Sequence, residues 1–463
     1  MNQEKTPVEA KPELRLTRTL AGVAVLLAVI ALATAPRNIT PSAFLDQGEP
    51  FFPDFTDPNV AMTLEVIEFD ADTAAARPFK VTNQNGLWTI PSHHNYPADG
   101  EDRLAETAAG VMTITKDDFR SDNVSDHEAL GVVDPLDETA ASLLGRGKRI
   151  TMRGENDVIL ADIIIGFELE GREGFHFVRV PEQKRVYAAK VDVDVSTKFE
   201  DWIESDLLEV ERSKIDHVVL SDYSINERSL MVEERDTLSL DKEDDTWVAI
   251  RMAADQEVDS TKMNDLLREV DDLEIVGVRP KPEGIDDRLS GLTVSRQDVL
   301  SLQGRGYYLT RTGDLLSNEG ELQVRTSEGV YYTLRFGEIL YGSGVAVSAG
   351  VESTGDQGDG PGENRYLFIT ADFDSAVLLE PPRPANRDFE GKEGDDLTDD
   401  DKANKDLADA HKSWEDKVKQ GQETADELSQ RFAPWYYVIS ADSFDKIHLD
   451  RNDLVKAIES KDD

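Results

Sequence analysis

A chain of 463 residues exceeds what one hydrophobic core ordinarily supports, so two or more domains are expected, and 39% hydrophobic residues suit globular ones. The 94 acidic residues against 50 basic ones give a formal charge of -44, which argues against a nucleic-acid surface built on clustered lysine and arginine. The absence of cysteine excludes disulfides, thiolate catalysis, cysteine-ligated zinc and a lipid-modified cysteine anchor.

The first element in chain order is apolar. Between Arg18 and Arg37 the chain carries no charge, and a helix over this stretch would be about 27 Å long, just enough to cross a hydrocarbon core. This predicts a signal anchor over residues 19–36, with Leu20, Val23, Leu26, Leu27, Ile30 and Leu32 against the lipid bilayer. Lys5, Lys11, Arg15 and Arg18 precede it and the next basic residue after Arg37 is Arg77, so residues 1–18 are expected in the cytoplasm and the bulk outside. That corresponds to a bacterial inner-membrane protein with one pass, facing the periplasm. Pro36 blocks a signal-peptidase cut after Ala35, whereas Ala31-Leu32-Ala33 leaves one open before Thr34; the long basic lead favours an uncleaved anchor.

Residues 37–60, with four prolines and no periodicity, read as an extended tether. A first folded domain is expected over 61–225. The stretch from Met62 to Asp70 has strand character, and Phe79 to Ile90 reads as a hairpin turning at Asn85-Gly86. Pro91 to Pro97 forms a loop containing His93 and His94. A helix follows from Ala98 or Asp99, with Leu104, Ala105, Ala108 and Val111 at helical spacing and acids in its first turn. Adjacent histidines on an extended loop point to opposite sides, and no H-x-x-x-H or H-E-x-x-H pattern supports them as metal ligands, so they read as loop residues.

This plan recurs. From Asp245 a strand with Trp247 leads through a polar crossover to a helix with Met263, Leu266, Leu267 and Val270, and Leu104 stands as far beyond Trp88 as Met263 beyond Trp247. Each unit continues into a β-meander and then to a tryptophan segment predicted helical, around Trp202 and Trp435. The expected fold is α+β: an N-terminal transmembrane helix, then two similar tandem domains, 61–225 and 226–463, each an antiparallel meander with two packed helices. Trp88, Trp202, Trp247 and Trp435 are the expected core anchors of the repeat.

The strand ending in Trp88-Thr89-Ile90-Pro91, the Pro97-Ala98-Asp99 crossover, Gly166, Val186-Tyr187 and the run from Phe199 to Leu208 together resemble a bacterial family of domains of unknown function, numbered 4340. The resemblance is good from Phe79 to Ser221 and loose in the second unit. It implies a membrane-anchored extracytoplasmic protein, often associated with auxiliary components of gliding-motility-type ABC transporters. It implies no catalytic residues.

Two segments set the second unit apart. The acidic, glycine-rich loop over 350–364 holds Asp356 and Asp359 but lacks the D-x-D-x-D-G calcium spacing, so it reads as a solvated loop. The insert over 382–431 begins as a disordered linker and becomes helical from about Thr398, with Leu407, Ala410, Trp414 and Val418 as a sparse apolar stripe that packs on the second unit or meets a partner. Nucleophile elbows, Walker loops and dinucleotide fingerprints are all missing, and Asp192 with Asp194 is a pair that chance supplies among so many acids. The expected function is non-catalytic: an accessory or scaffold protein binding protein partners in an envelope complex, without cofactor, metal or nucleic acid. The alternatives are an envelope hydrolase using carboxylates, or a solute- or calcium-binding module.

Overall fold

In the computed structural model, residues 12–33 and 46–458 are described, apart from 72–73, 141, 194, 205, 227–228, 230, 283–284, 286–294, 311–312, 343–344 and 351–362. Asp194, Asp356, Asp359 and most of the acidic loop lie outside the described residues, as do residues 37–45 and the Leu32 side chain.

The first helix, α1 (Pro12–Ala33), is followed by nine strands and one further helix: β1 (Thr63–Asp70), β2 (Ala75–Gln84), β3 (Leu87–Ile90), β4 (Tyr96–Pro97), α2 (Glu101–Met112), β5 (Asp118–Ser121), β6 (Lys148–Arg153), β7 (Ile159–Glu168), β8 (Phe175–Arg179) and β9 (Val186–Lys190). They form one antiparallel sheet in the order β4-β3-β2-β1-β6-β7-β8-β9-β5. A second set comprises β10 (Ile215–Asn226), β11 (Met231–Glu243), β12 (Thr246–Ala249), β13 (Gln256–Val258), α3 (Ser260–Asp271), β14 (Gly277–Pro280), α4 (Arg296–Gln303), β15 (Tyr307–Leu309) and β16 (Leu315–Ser317). It continues with β17 (Glu321–Thr326), β18 (Val330–Tyr341), α5 (Val345–Ser348), β19 (Glu363–Phe373), α6 (Asp399–Phe432), β20 (Trp435–Ile439), α7 (Ala441–Ile447), α8 (Arg451–Leu454) and β21 (Val455–Ala457). Its main sheet runs β12-β11-β10-β17-β18-β19-β20-β14. Counted from β3 and from β12, the two sheets follow the same strand order.

Local sequence explains the common frame. Asn85 and Gly86 adopt positive φ and close the β2–β3 hairpin, and Asp244 and Asp245 do the same between β11 and β12. In register, Asn83 faces Trp88 as Lys242 faces Trp247. Helix α2 buries Leu104, Thr107, Ala108 and Val111, and α3 buries Met263, Leu266, Leu267 and Val270, the positions a helical period puts on one side. These faces and the inward residues of both sheets make one continuous core. Alternation sends Phe368 and Tyr436 to the other side of the second sheet, where Leu302, Tyr307 and Leu315 cover them; Val132 covers Ile164 and Val186 in the first.

Several expectations are corrected. Helix α2 starts at Glu101 rather than Ala98 or Asp99, because residues 98–100 are held by Trp88 and Trp202: the Ala98 and Asp99 amides donate to the Trp88 and Trp202 carbonyls. Among the described residues the first unit has one α-helix rather than two, since the Trp202 segment is a single 3-10 turn, Phe199–Trp202; in the second unit Trp435 opens a strand. The tether does not extend to residue 60: Phe51 and Phe55 are buried, and Pro50 bridges to Thr115. Among the described residues no helix is long and apolar enough to cross a membrane.

The insert is ordered onto the body. Thr398 caps α6 with a capping box formed with Asp401, and the linker before it is pinned by Ala385 donating to Asn404 and Lys392 meeting Asp401 at 2.8 Å. Gly421 lets α6 touch the sheet, since a Cβ there would stand 2.3 Å from the Phe373 ring. Alanine is normally the better helix former by about 1 kcal/mol. Here Gly421→Ala is expected to reverse that sign and cost about 1–3 kcal/mol, read as a lower denaturation midpoint and faster proteolysis within α6.

Candidate functional site

The histidine loop is the place where the two sheets' units are joined. After β3 the chain makes a 3-10 turn, Pro91–His93, and His94 and Asn95 both take left-handed backbone angles that turn the side chains toward the second unit. His93 is 3% exposed. Its ring stacks on Phe199, centroids 4.6 Å apart, with Phe79 at its edge. Its Nδ1 lies 3.0 Å from the Ser92 hydroxyl and its Nε2 lies 2.9 Å from the Ser348 hydroxyl. His94 donates from Nε2 to the Ala349 carbonyl, 2.9 Å away. A second seam lies beside the first, where Tyr96 meets the Trp435 ring edge-on at 5.0 Å and Arg431 reaches Glu209 and the Asp206 carbonyl.

Burial keeps the His93 imidazole of this joint neutral. Burial pushes the His93 imidazole down to about 4, with the neighbouring His94 and Arg279 adding to the effect. Arg279 is itself buried and donates to the Val278 and Ser348 carbonyls. Its close approach needs Gly350, where a Cβ would sit 2.5 Å from the guanidinium.

Beside His93 a cleft of about 550 Å³ opens between the units. Phe79, Phe199 and Pro78 line it from the first unit and Val276, Val347 and Asn364 from the second, while Arg77, Lys198, Glu68 and Glu200 add charge of both signs. The size suits a small ligand, and the wall is apolar with a few hydroxyls. A single neutral imidazole between two hydroxyls gives hydrogen-bonding specificity. Among the described residues no group of three or more histidines, aspartates and glutamates could hold a metal ion.

Three of the motifs behind the family resemblance, Trp88 to Pro91, Pro97 to Asp99 and the start of the Phe199 to Leu208 run, meet at this joint. The Gly100 Cα–H side packs on Trp202, an added Cβ lying 3.3 Å from the indole, and Arg103 lies over the same ring. Residues 97–100 and 199–202, far apart in sequence, therefore form one contact. Residues 88–288 match DUF4340, a domain of unknown function. No curated protein and no solved structure matches the chain. The DUF4340 match starts at the tryptophan of β3 and ends beyond α3, so it takes in the first sheet's meander and the opening strands of the second.

The tryptophans singled out in the sequence fall into two kinds. Trp202 and Trp435 are buried, whereas Trp88 and Trp247 are half-buried and lean on the core. Trp414 on α6 is half-buried, donates from Nε1 to the Leu378 carbonyl at 2.9 Å and contacts His411, so its indole is engaged by its own chain. On α1, Leu20, Val23, Leu26, Leu27 and Ile30 are 48–63% exposed. Ser348, Ala349 and Arg279 carried no sequence signal: each lies in the second unit, and only the fold brings them to the histidines.

Proposed function

We propose that this protein is a non-catalytic accessory or scaffold subunit of a bacterial envelope complex, held to the cytoplasmic membrane by α1 and binding protein partners, an ABC-type transporter among them, through its extracytoplasmic body. The observation that carries this reading is α1. Its apolar residues remain exposed at every point of the helix turn from Leu20 to Ile30, and apolar surface of that kind requires lipid or protein around it. Lys5, Lys11, Arg15 and Arg18 before the apolar run support the direction by the positive-inside rule. We further infer that the two units arose by tandem duplication, which the shared strand order and the equal Trp88–Leu104 and Trp247–Met263 spacing support.

The test is affinity purification of the tagged full-length protein from detergent-solubilised membranes, with mass spectrometry of the co-purifying proteins. Recovery from the alkali-resistant membrane fraction together with transporter subunits is the expected result. A protein found in the soluble fraction, or one that purifies alone, overturns the proposal. Trp414→Ala is expected to leave partner recovery unchanged, because its indole is already committed to Leu378. The cleft beside His93 favours a second reading, binding of a small solute between the units, which a ligand-dependent rise in thermal unfolding temperature detects.

A further inference from the structure

A second cleft, of about 630 Å³, lies wholly in the second unit, where α3 crosses the β11–β12 hairpin. In a chain with nearly twice as many acids as bases, it is lined by three cations, Arg212, Lys242 and Arg268, and a single acid, Asp245. Arg212 is exposed and, among the described residues, has no carboxylate partner. Lys242 meets Asp245 at 3.4 Å and Arg268 meets Asp265 at 3.4 Å, both pairs three residues apart along the chain. Exposed pairs of this kind bind weakly and leave the cations available to a stronger anion. The half-buried Trp247 forms an aromatic wall, and Ser260 and Asn264 supply neutral hydrogen-bonding groups.

The fold does not demand these cations, because the first unit builds the same corner without them. There Asn83 faces Trp88 across the hairpin as Lys242 faces Trp247. Ala109 stands five residues after Leu104, as Arg268 stands five after Met263. Pro58 opens the turn before β1, as Arg212 opens the turn before β10. Three neutral residues in one unit thus correspond to three basic ones in the other, around a tryptophan present in both.

We propose that this cleft binds a small anionic molecule in which a phosphate group is joined to a planar ring. Two guanidinium forks and an ammonium match the charge and geometry of a phosphate, the indole supplies a face for the ring, and the volume is that of a small-molecule site. The proposal is independent of the membrane reading. Its test is isothermal titration calorimetry on the purified full-length protein, with adenosine 5′-monophosphate as the probe and adenosine and inorganic phosphate as its separate halves. Saturable binding of the monophosphate is expected, at least tenfold tighter than either half and weaker at high salt. The variant Arg212→Ala/Lys242→Asn/Arg268→Ala, which copies the first unit's charge, should lose at least tenfold in affinity. Arg212→Gln, at an exposed side chain that the fold does not use, should lose about threefold or more. No saturable binding of the probe, equal binding of phosphate alone, or undiminished affinity in Arg212→Gln and in a normally folded triple variant overturns the proposal.

Discussion

Alanine in place of Trp202 should remove about 4 kcal/mol of stability, the largest loss we expect from any single substitution in the first unit. The side chain is fully buried. Its Nε1 donates to the Ser196 carbonyl at 3.0 Å, its ring centroid lies 5.8 Å from that of Phe79, and its own carbonyl accepts from the Asp99 amide. Truncation would open a cavity and orphan the Ser196 carbonyl together. Trp202→Phe should cost about half as much, since it keeps most of the volume but loses the donor. Trp88→Ala should cost about 1–2 kcal/mol, because that ring is only half-buried. Chemical denaturation followed by circular dichroism ranks the three; a Trp88 loss equal to that of Trp202 would contradict the described packing.

Acid should loosen the joint between the units before it unfolds the sheets. His93 is held neutral in the folded chain, down to about 4 against 6.5 for a free imidazole. A base with a depressed folded value favours folding above the unfolded value. Its contribution is lost as pH falls from about 6.5 to about 4, and levels off once the folded imidazole also takes a proton. That difference corresponds to about 3 kcal/mol. His127 and His448, also lowered by burial, add in the same direction. His93→Asn should therefore be less stable than the wild type at neutral pH and nearly equal to it near pH 4. The check is the free energy of unfolding at both pH values, with the His93 ring titrated by nuclear magnetic resonance. An imidazole that titrates near 6.5 in the folded protein would sink the idea.

How much of this could be read from the chain varied with how local each feature is. Helix α3 was legible to the residue, because Met263, Leu266, Leu267 and Val270 carry their own period. The Asn85-Gly86 turn and the helix start near Thr398 were legible for the same reason: each is a signal complete within a few residues. Trp435 was misassigned to a helix because its aromatic run fits either period, and its place in β20 is decided by pairing with β19 and β14. His93 read as a plain loop residue; its burial depends on Ser348 and Phe199, 255 and 106 positions away, and on a cleft that exists only when both units are folded.

The closing edge of the second sheet sets a timetable. Among the described residues, strand β14 pairs only with β20, and α6 lies between the two in sequence. Roughly 150 residues must leave the ribosome after β14 before its partner exists, which at ~5–20 residues per second is on the order of ten seconds or more. Through that interval Val278 and the apolar face of α3 are left without their final cover, while the first sheet, whose strands end by Lys190, can already be complete. Nascent second units are therefore the form of this protein that should recruit holding chaperones, and slowing synthesis after Pro280 should lengthen that dependence.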